Sequence, residues 1–174
     1  MKVSKVMPAL IILLIIICLI LIPFRTALVF YHGTSNNIAA FLPLKAGEHF
    51  QIIFKHSIHL TNVVEKYHVS ADLEIVQDEI IFEEFGIGMP SNAEGEAKFE
   101  YIDGKYHISE LNQVFESINI RNGKTVSEHR LVWETDESEK VVQFNDYFEP
   151  GAWFKVKAEK LSILQYLKGV KINE

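Results

Sequence analysis

His56-Ser57, followed at Glu65 by a carboxylate, holds the residue types of nucleophilic acyl transfer. In that chemistry an imidazole takes the serine proton and a carboxylate orients the imidazole. The three side chains must converge for it to work. Residues 50–58 read as a strand, and neighbours on a strand point to opposite faces, so Ser57 is turned away from the His56 ring. Ser57 also lacks the Gly-x-Ser-x-Gly elbow that presents a nucleophile on a strained turn. The expectation is a chain without a catalytic residue, in which His56 and Glu65 form a buried structural pair.

His56, His59 and His68, with Glu65, are zinc-ligand types, but zinc needs three or four ligands converging at ~2.0–2.1 Å. On a regular hairpin His56 and His59 have opposite parity, and His68 faces away from Glu65. The reading is therefore no metal and no cofactor. The segment Phe85-Gly86-Ile87-Gly88-Met89-Pro90 is not a dinucleotide fingerprint, because no third glycine opens a helix and Pro90 ends it. It reads as a tight loop at a strand end, or as a docking loop with Met89 as an exposed apolar contact. Glu134, Asp136, Glu137 and Glu139 lack the spacing and glycine of a calcium loop and read as a solvated hairpin tip.

These residues must be positioned by short strands. Apolar runs separated by turn residues recur along the chain, with strands expected at 27–31, 39–44, 50–58, 63–69, 73–76, 80–85, 98–102, 106–109, 115–121, 125–134, 140–145 and 152–157. A terminal helix is expected at 161–167. Asp103-Gly104 and Asn122-Gly123 both suit two-residue hairpin turns, since they tolerate positive φ. The pattern predicts an all-β domain, either an antiparallel sandwich or a partly open barrel. With a turn between Leu60 and Thr61, His56 falls opposite Glu65 and Phe54 opposite Tyr67, close enough for the first pair to hydrogen-bond.

Ahead of the strands, residues 6–24 form an apolar stretch bearing only Pro8 and Pro23 as breakers. The length suits one membrane-spanning helix. Arg25 stands where a signal peptidase wants a small residue, which favours an uncleaved anchor. Lys2 and Lys5 mark the cytoplasmic side against Arg25 alone beyond the helix. The expected division is a cytoplasmic tip and anchor at 1–25 and an extracytoplasmic β-domain at 26–174, in the cytoplasmic membrane as a single-pass protein.

No acid precedes Glu48, so the net charge of −6 understates the acidity of the remainder. Such a surface repels nucleic acid and anionic headgroups. The only cysteine, Cys18, lies in the apolar stretch and rules out an intrachain disulfide. Stability must come from the core, for which twelve Phe, six Tyr and two Trp supply the bulk.

Taken together, His56-Ser57-Ile58, Val64-Glu65-Lys66-Tyr67 and Phe85-Gly86-Ile87-Gly88-Met89-Pro90 resemble a bacterial family of small membrane-anchored proteins of unknown function. Its motif reads His-Ser-apolar, then Glu before an aromatic, then Gly-x-Gly-x-Pro. Members look like companions of tripartite ATP-independent periplasmic (TRAP) transporters of the TAXI type. The resemblance spans residues 27–167 and carries over His56, Ser57, Glu65, Gly86, Gly88 and Pro90. It implies a non-catalytic accessory protein, partnered by the transporter's membrane subunits or its solute-binding protein. A free-standing extracytoplasmic ligand-binding domain and an envelope hydrolase are the alternatives.

Overall fold

The computed structural model describes residues 6–86, 95, 97–126, 128–136 and 138–173. Helix α1 (Val6–Leu21) leads into β1 (Pro23–His32), β2 (Ile38–Pro43), β3 (His49–Lys55), β4 (Asn62–Val69) and β5 (Ile75–Phe82). Strands β6 (Lys98–Ile102), β7 (Lys105–Ser109), β8 (Gln113–Phe115) and β9 (Ile118–Arg121) follow. Then come β10 (Arg130–Glu134), β11 (Glu139–Gln143), a 3-10 turn at Phe144–Asp146, β12 (Trp153–Ser162) and α2 (Ile163–Lys168). The all-β expectation holds for this domain.

Two sheets form. One has the order β2-β1-β12-β9; the other runs β11-β10-β3-β4-β5-β7-β6, with β8 also on β5. All strand pairs are antiparallel. Between the sheets lies the main core, where Phe30, Leu42, Phe50, Ile75, Leu131 and Phe154 are almost fully buried. Burying such side chains is worth roughly 1.5–3 kcal/mol each before the entropy cost is counted. A smaller cluster of Val63, Ile80, Phe82 and Ile108 packs with Phe54, Tyr106 and Leu111. On the smaller sheet Ala27, Val29, Phe41 and Leu161 pack together with Tyr166 of α2. That helix begins on a capping box, with Ser162 and Gln165 bonding each other's backbone N–H.

Residues 73–76 and 80–85 are not two strands, because β5 runs unbroken from Ile75 to Phe82. Conversely 115–121 splits, with β8 on the larger sheet and β9 on the smaller. Asp103-Gly104 does turn the β6–β7 hairpin, with φ of 51° and 82°. Asn122-Gly123 does not turn a hairpin. Its flanking strands β9 and β10 belong to different sheets, and Asn122 is buried at the crossing.

Helix α1 has 16 residues and spans about 24 Å at the usual rise. Pro23 restricts the residue before it and directs the chain into extended structure, so the helix stops short of the expected 6–24 span. No helix among the described residues is long and apolar enough to cross a membrane. From Leu10 to Leu21 its large apolar side chains are exposed, apart from the half-buried Ile20.

Candidate recognition site

The hairpin joining β3 to β4 does not have the expected register. Ile52, not His56, lies opposite Glu65, and Phe50 lies opposite Tyr67, their rings stacked at 5.2 Å. The expected pairing is displaced by four positions, because β3 ends at Lys55 and the turn begins at His56. His56 therefore sits roughly 13 Å further along than Glu65's partner, at about 3.3 Å per residue. The structure does not bring the expected pair together.

It brings His56 to Gly86 instead. Within the turn, the His56 N–H donates to the Thr61 carbonyl at 2.9 Å, and the Leu60 N–H donates to the His56 carbonyl at 2.9 Å. Closing so tight a loop puts Leu60 at φ 60°, an uncommon conformation for a residue with a Cβ. The backbone N–H groups of Ile58 and His59 point at His56 Nδ1, at 3.3 and 3.4 Å. That nitrogen accepts, so the proton of the neutral ring belongs on Nε2. His56 is 7% exposed. The His59 ring stacks on it at 5.1 Å, and His59 Nδ1 meets Glu84 Oε2 at 2.8 Å.

Gly86 closes this arrangement. A Cβ there would lie 2.8 Å from His56 Cε1 and 3.0 Å from His59 Nε2. Only glycine lets the backbone approach both imidazoles. Ser57 is exposed on the turn, so solvent exposure, rather than strand alternation, describes its position. Gly88, Met89 and Pro90 lie outside the described residues.

The rim of this site is apolar. Ile58 is 61% exposed and Leu60 58%, and Phe85 is exposed beside them in sequence to Gly86. Phe85 packs on Tyr106 at 4.4 Å and stacks on Phe99 at 6.2 Å, with Tyr101 exposed next to Tyr106. Exposed apolar surface gathered around a buried polar anchor suits contact with another macromolecule.

Glu65 points inward and accepts from the Tyr67 hydroxyl at 2.9 Å. Burial pushes the Glu65 carboxyl above its ordinary value, and the Tyr67 bond offsets this only in part. Burial, together with the carboxylate beside it, also raises the Tyr67 hydroxyl. A raised folded-state value means the native protein holds this proton more tightly than the unfolded chain. The resulting stability is complete below about 4.5 and is lost as pH rises through the raised value. Glu65→Gln keeps the acceptor without the charge, so its stability should be flatter than wild type across that window. Glu65→Ala strands the Tyr67 hydroxyl and should be about 1–3 kcal/mol less stable than Glu65→Gln. Urea unfolding at pH 5 and pH 8 checks both; equal stability of the two variants would show the hydroxyl is hydrated.

A second polar group lies on the outer face of the larger sheet, and sequence reading missed it. His49 and His68 are directly opposed on β3 and β4. Asp78 of β5 meets His68 Nδ1 at 2.8 Å and His49 Nδ1 at 3.7 Å. Beside them Glu79 binds Lys66 and His107, each at 2.7 Å. Burial pushes Glu79 up, but its bonds to Lys66 and His107 together hold it below the ordinary carboxylate value. Alternation identified the face of His68. Nothing in the residue pattern pointed to Asp78, which depends on a bulge.

Residues 50–139 match the family model described as a domain of unknown function, DUF1850. The match runs from β3 to the start of β11, so it holds the His56 turn, Gly86, His68 and Asp78. No curated protein and no solved structure matches the chain.

Proposed function

The chain belongs to the DUF1850 family, and we propose that it is a non-catalytic accessory protein of a TAXI-type TRAP transporter at the outer face of the cytoplasmic membrane. The transporter assignment rests on the motif resemblance. The observation that carries a recognition role is the convergence of the two motif segments, His56 packed on Gly86 inside a rim of exposed Ile58, Leu60 and Phe85.

The place of this site in the fold favours one of the two expected partners. The start of β1, which follows α1 directly, lines a groove with His49 at the start of β3. His56 lies past the other end of β3, seven residues on, or roughly 20 Å away. With the apolar stretch 6–24 as the anchor, the rim faces away from the bilayer. A soluble solute-binding protein reaches that end more readily than a membrane subunit does. Tethering raises the local concentration of the accessory domain where the partner docks.

Leu60→Asp separates recognition from folding. Aspartate accepts positive φ better than leucine does, so the turn should persist while the apolar contact is lost. Gly86→Ala should instead push apart the His56 and His59 rings and loosen the turn. In a mild-detergent pull-down from native membranes, wild type should recover the solute-binding protein. Leu60→Asp should recover at least about tenfold less, for the loss of one apolar hot spot, with an unchanged melting temperature. Recovery unaffected by both substitutions would sink the rim as the docking surface, and recovery of no transporter component would favour a free-standing ligand-binding domain.

A further inference from the structure

We infer that His49, His68 and Asp78 form a binding site for a divalent transition cation, with zinc as the reference ion. The inference goes beyond the accessory role and stands without it, since the cluster lies at the opposite end of β3 from the His56 turn.

The geometry begins with a bulge. In the β4–β5 ladder Tyr67 pairs with Gln77 and Lys66 with Glu79, which leaves Asp78 as an extra residue. A bulge of this kind re-aims a side chain. Here two consecutive acids serve one face: Glu79 goes to Lys66 and His107, and Asp78 to the two histidines. The Leu111 N–H donates to the Asp78 carbonyl at 3.1 Å and pins the bulge.

One carboxylate thus faces two imidazoles that already stand side by side on adjacent strands, their rings 5.5 Å apart. The three ligand atoms lie within 4.8 Å of one another. A tetrahedral zinc at ~2.0–2.1 Å from each ligand holds them about 3.3 Å apart. The observed separations of 2.8 Å to His68 and 3.7 Å to His49 lie on either side of that figure. Most of the adjustment falls on His49, whose side chain is 69% exposed and free to swing.

The donor set narrows the ion. Two imidazole nitrogens with one carboxylate suit zinc, copper(II), nickel or iron(II), whereas calcium and magnesium prefer all-oxygen sites. A plain histidine–aspartate ion pair accounts for His68 but assigns no role to His49, whose Nδ1 also faces Asp78. A groove of about 430 Å³ lined by His49, Gln51, Lys66, Asp78 and Glu134 runs beside the cluster. A cation held by three protein ligands at its edge keeps a position open to water.

The test is zinc titration into the full-length, untagged, chelator-stripped chain in detergent, followed by calorimetry and by the visible absorption of the cobalt(II) form. One cation per chain should bind in the micromolar range or tighter. His49→Ala, His68→Ala and Asp78→Asn should each weaken binding by at least about tenfold. His32→Ala, away from the cluster, should leave binding unchanged. Zinc should also raise the melting temperature of wild type and not that of Asp78→Asn, which controls for a variant that folds poorly. Binding only in the millimolar range, or binding equally strong in the three variants, would overturn the site.

Discussion

Phe148→Ala should destabilise the domain by about 3–5 kcal/mol, the usual cost of deleting a buried aromatic ring. Phe148 lies in the connection between β11 and β12, yet it is only 4% exposed. Its ring meets Phe154 of β12 at 4.4 Å, Phe30 of β1 at 5.1 Å and Phe144 at 5.3 Å. This connection carries the chain from the larger sheet to the smaller, so the ring fills the seam where the two must close. The backbone around it is held as well. Asn122 Nδ2 points at the carbonyls of Phe148 and Glu149, both at 3.2 Å, and at Asn145 Oδ1 at 2.9 Å. A clamped backbone cannot collapse into the cavity, which places the expected cost toward the upper end of the range. Urea unfolding followed by tryptophan fluorescence measures it. Trp153→Ala, on the exposed face of β12, is the contrast and should cost under about 1 kcal/mol, since what it loses is a surface contact with Arg121. Similar losses in the two variants would show that the seam is not closed by Phe148.

The seam illustrates which features local pattern can reveal. Apolar runs between turn residues placed β1, β2, β4, β6 and β7 within a residue or a few, because such a run is a property of each strand alone. Asp103-Gly104 succeeded for the same reason: both residues take positive φ within one hairpin. Asn122-Gly123 has the same chemistry but lies where the chain changes sheets, and there the buried amide is used as a clamp. Which use prevails depends on the partner strand, a non-local fact. The register at the β3–β4 turn likewise depended on where β3 stops. His56 continues the alternation perfectly, so sequence gave no reason to end the strand before it. The structural reason is that its Nδ1 takes two backbone N–H groups of the turn. His56 and Gly86 were singled out as separate motif residues, and their contact arises only because β4 and β5 carry the chain back to the same end. Asp78 was invisible because a bulge leaves no periodic signature in β5.

Lowering the pH toward 4 should weaken the fold through His129 by about 2 kcal/mol. The ring lies at the entry to β10, stacked on Phe54 at 5.3 Å and packed against Phe144 at 5.4 Å. Burial between these two faces depresses its value to about 4, from an ordinary 6.5. A depressed folded-state value means the unfolded chain takes up the proton first. The stability conferred by the neutral ring is complete above pH 6.5 and drains away as pH falls through the window down to 4. A shift of that size corresponds to about 3 kcal/mol at most, reduced to about 2 because the ring keeps some contact with solvent. Glu65 acts in the opposite direction, gaining stability as pH falls, so the wild-type curve alone mixes the two. His129→Phe isolates the histidine: it keeps the stacking on Phe54 and cannot be protonated. Unfolding free energies at pH 7 and pH 4 should therefore fall by about 2 kcal/mol more in wild type than in His129→Phe, while Glu65→Gln should fall further than wild type. If wild type and His129→Phe lose stability equally, the imidazole accepts its proton without cost, and the space between Phe54 and Phe144 must admit water when the ring is charged.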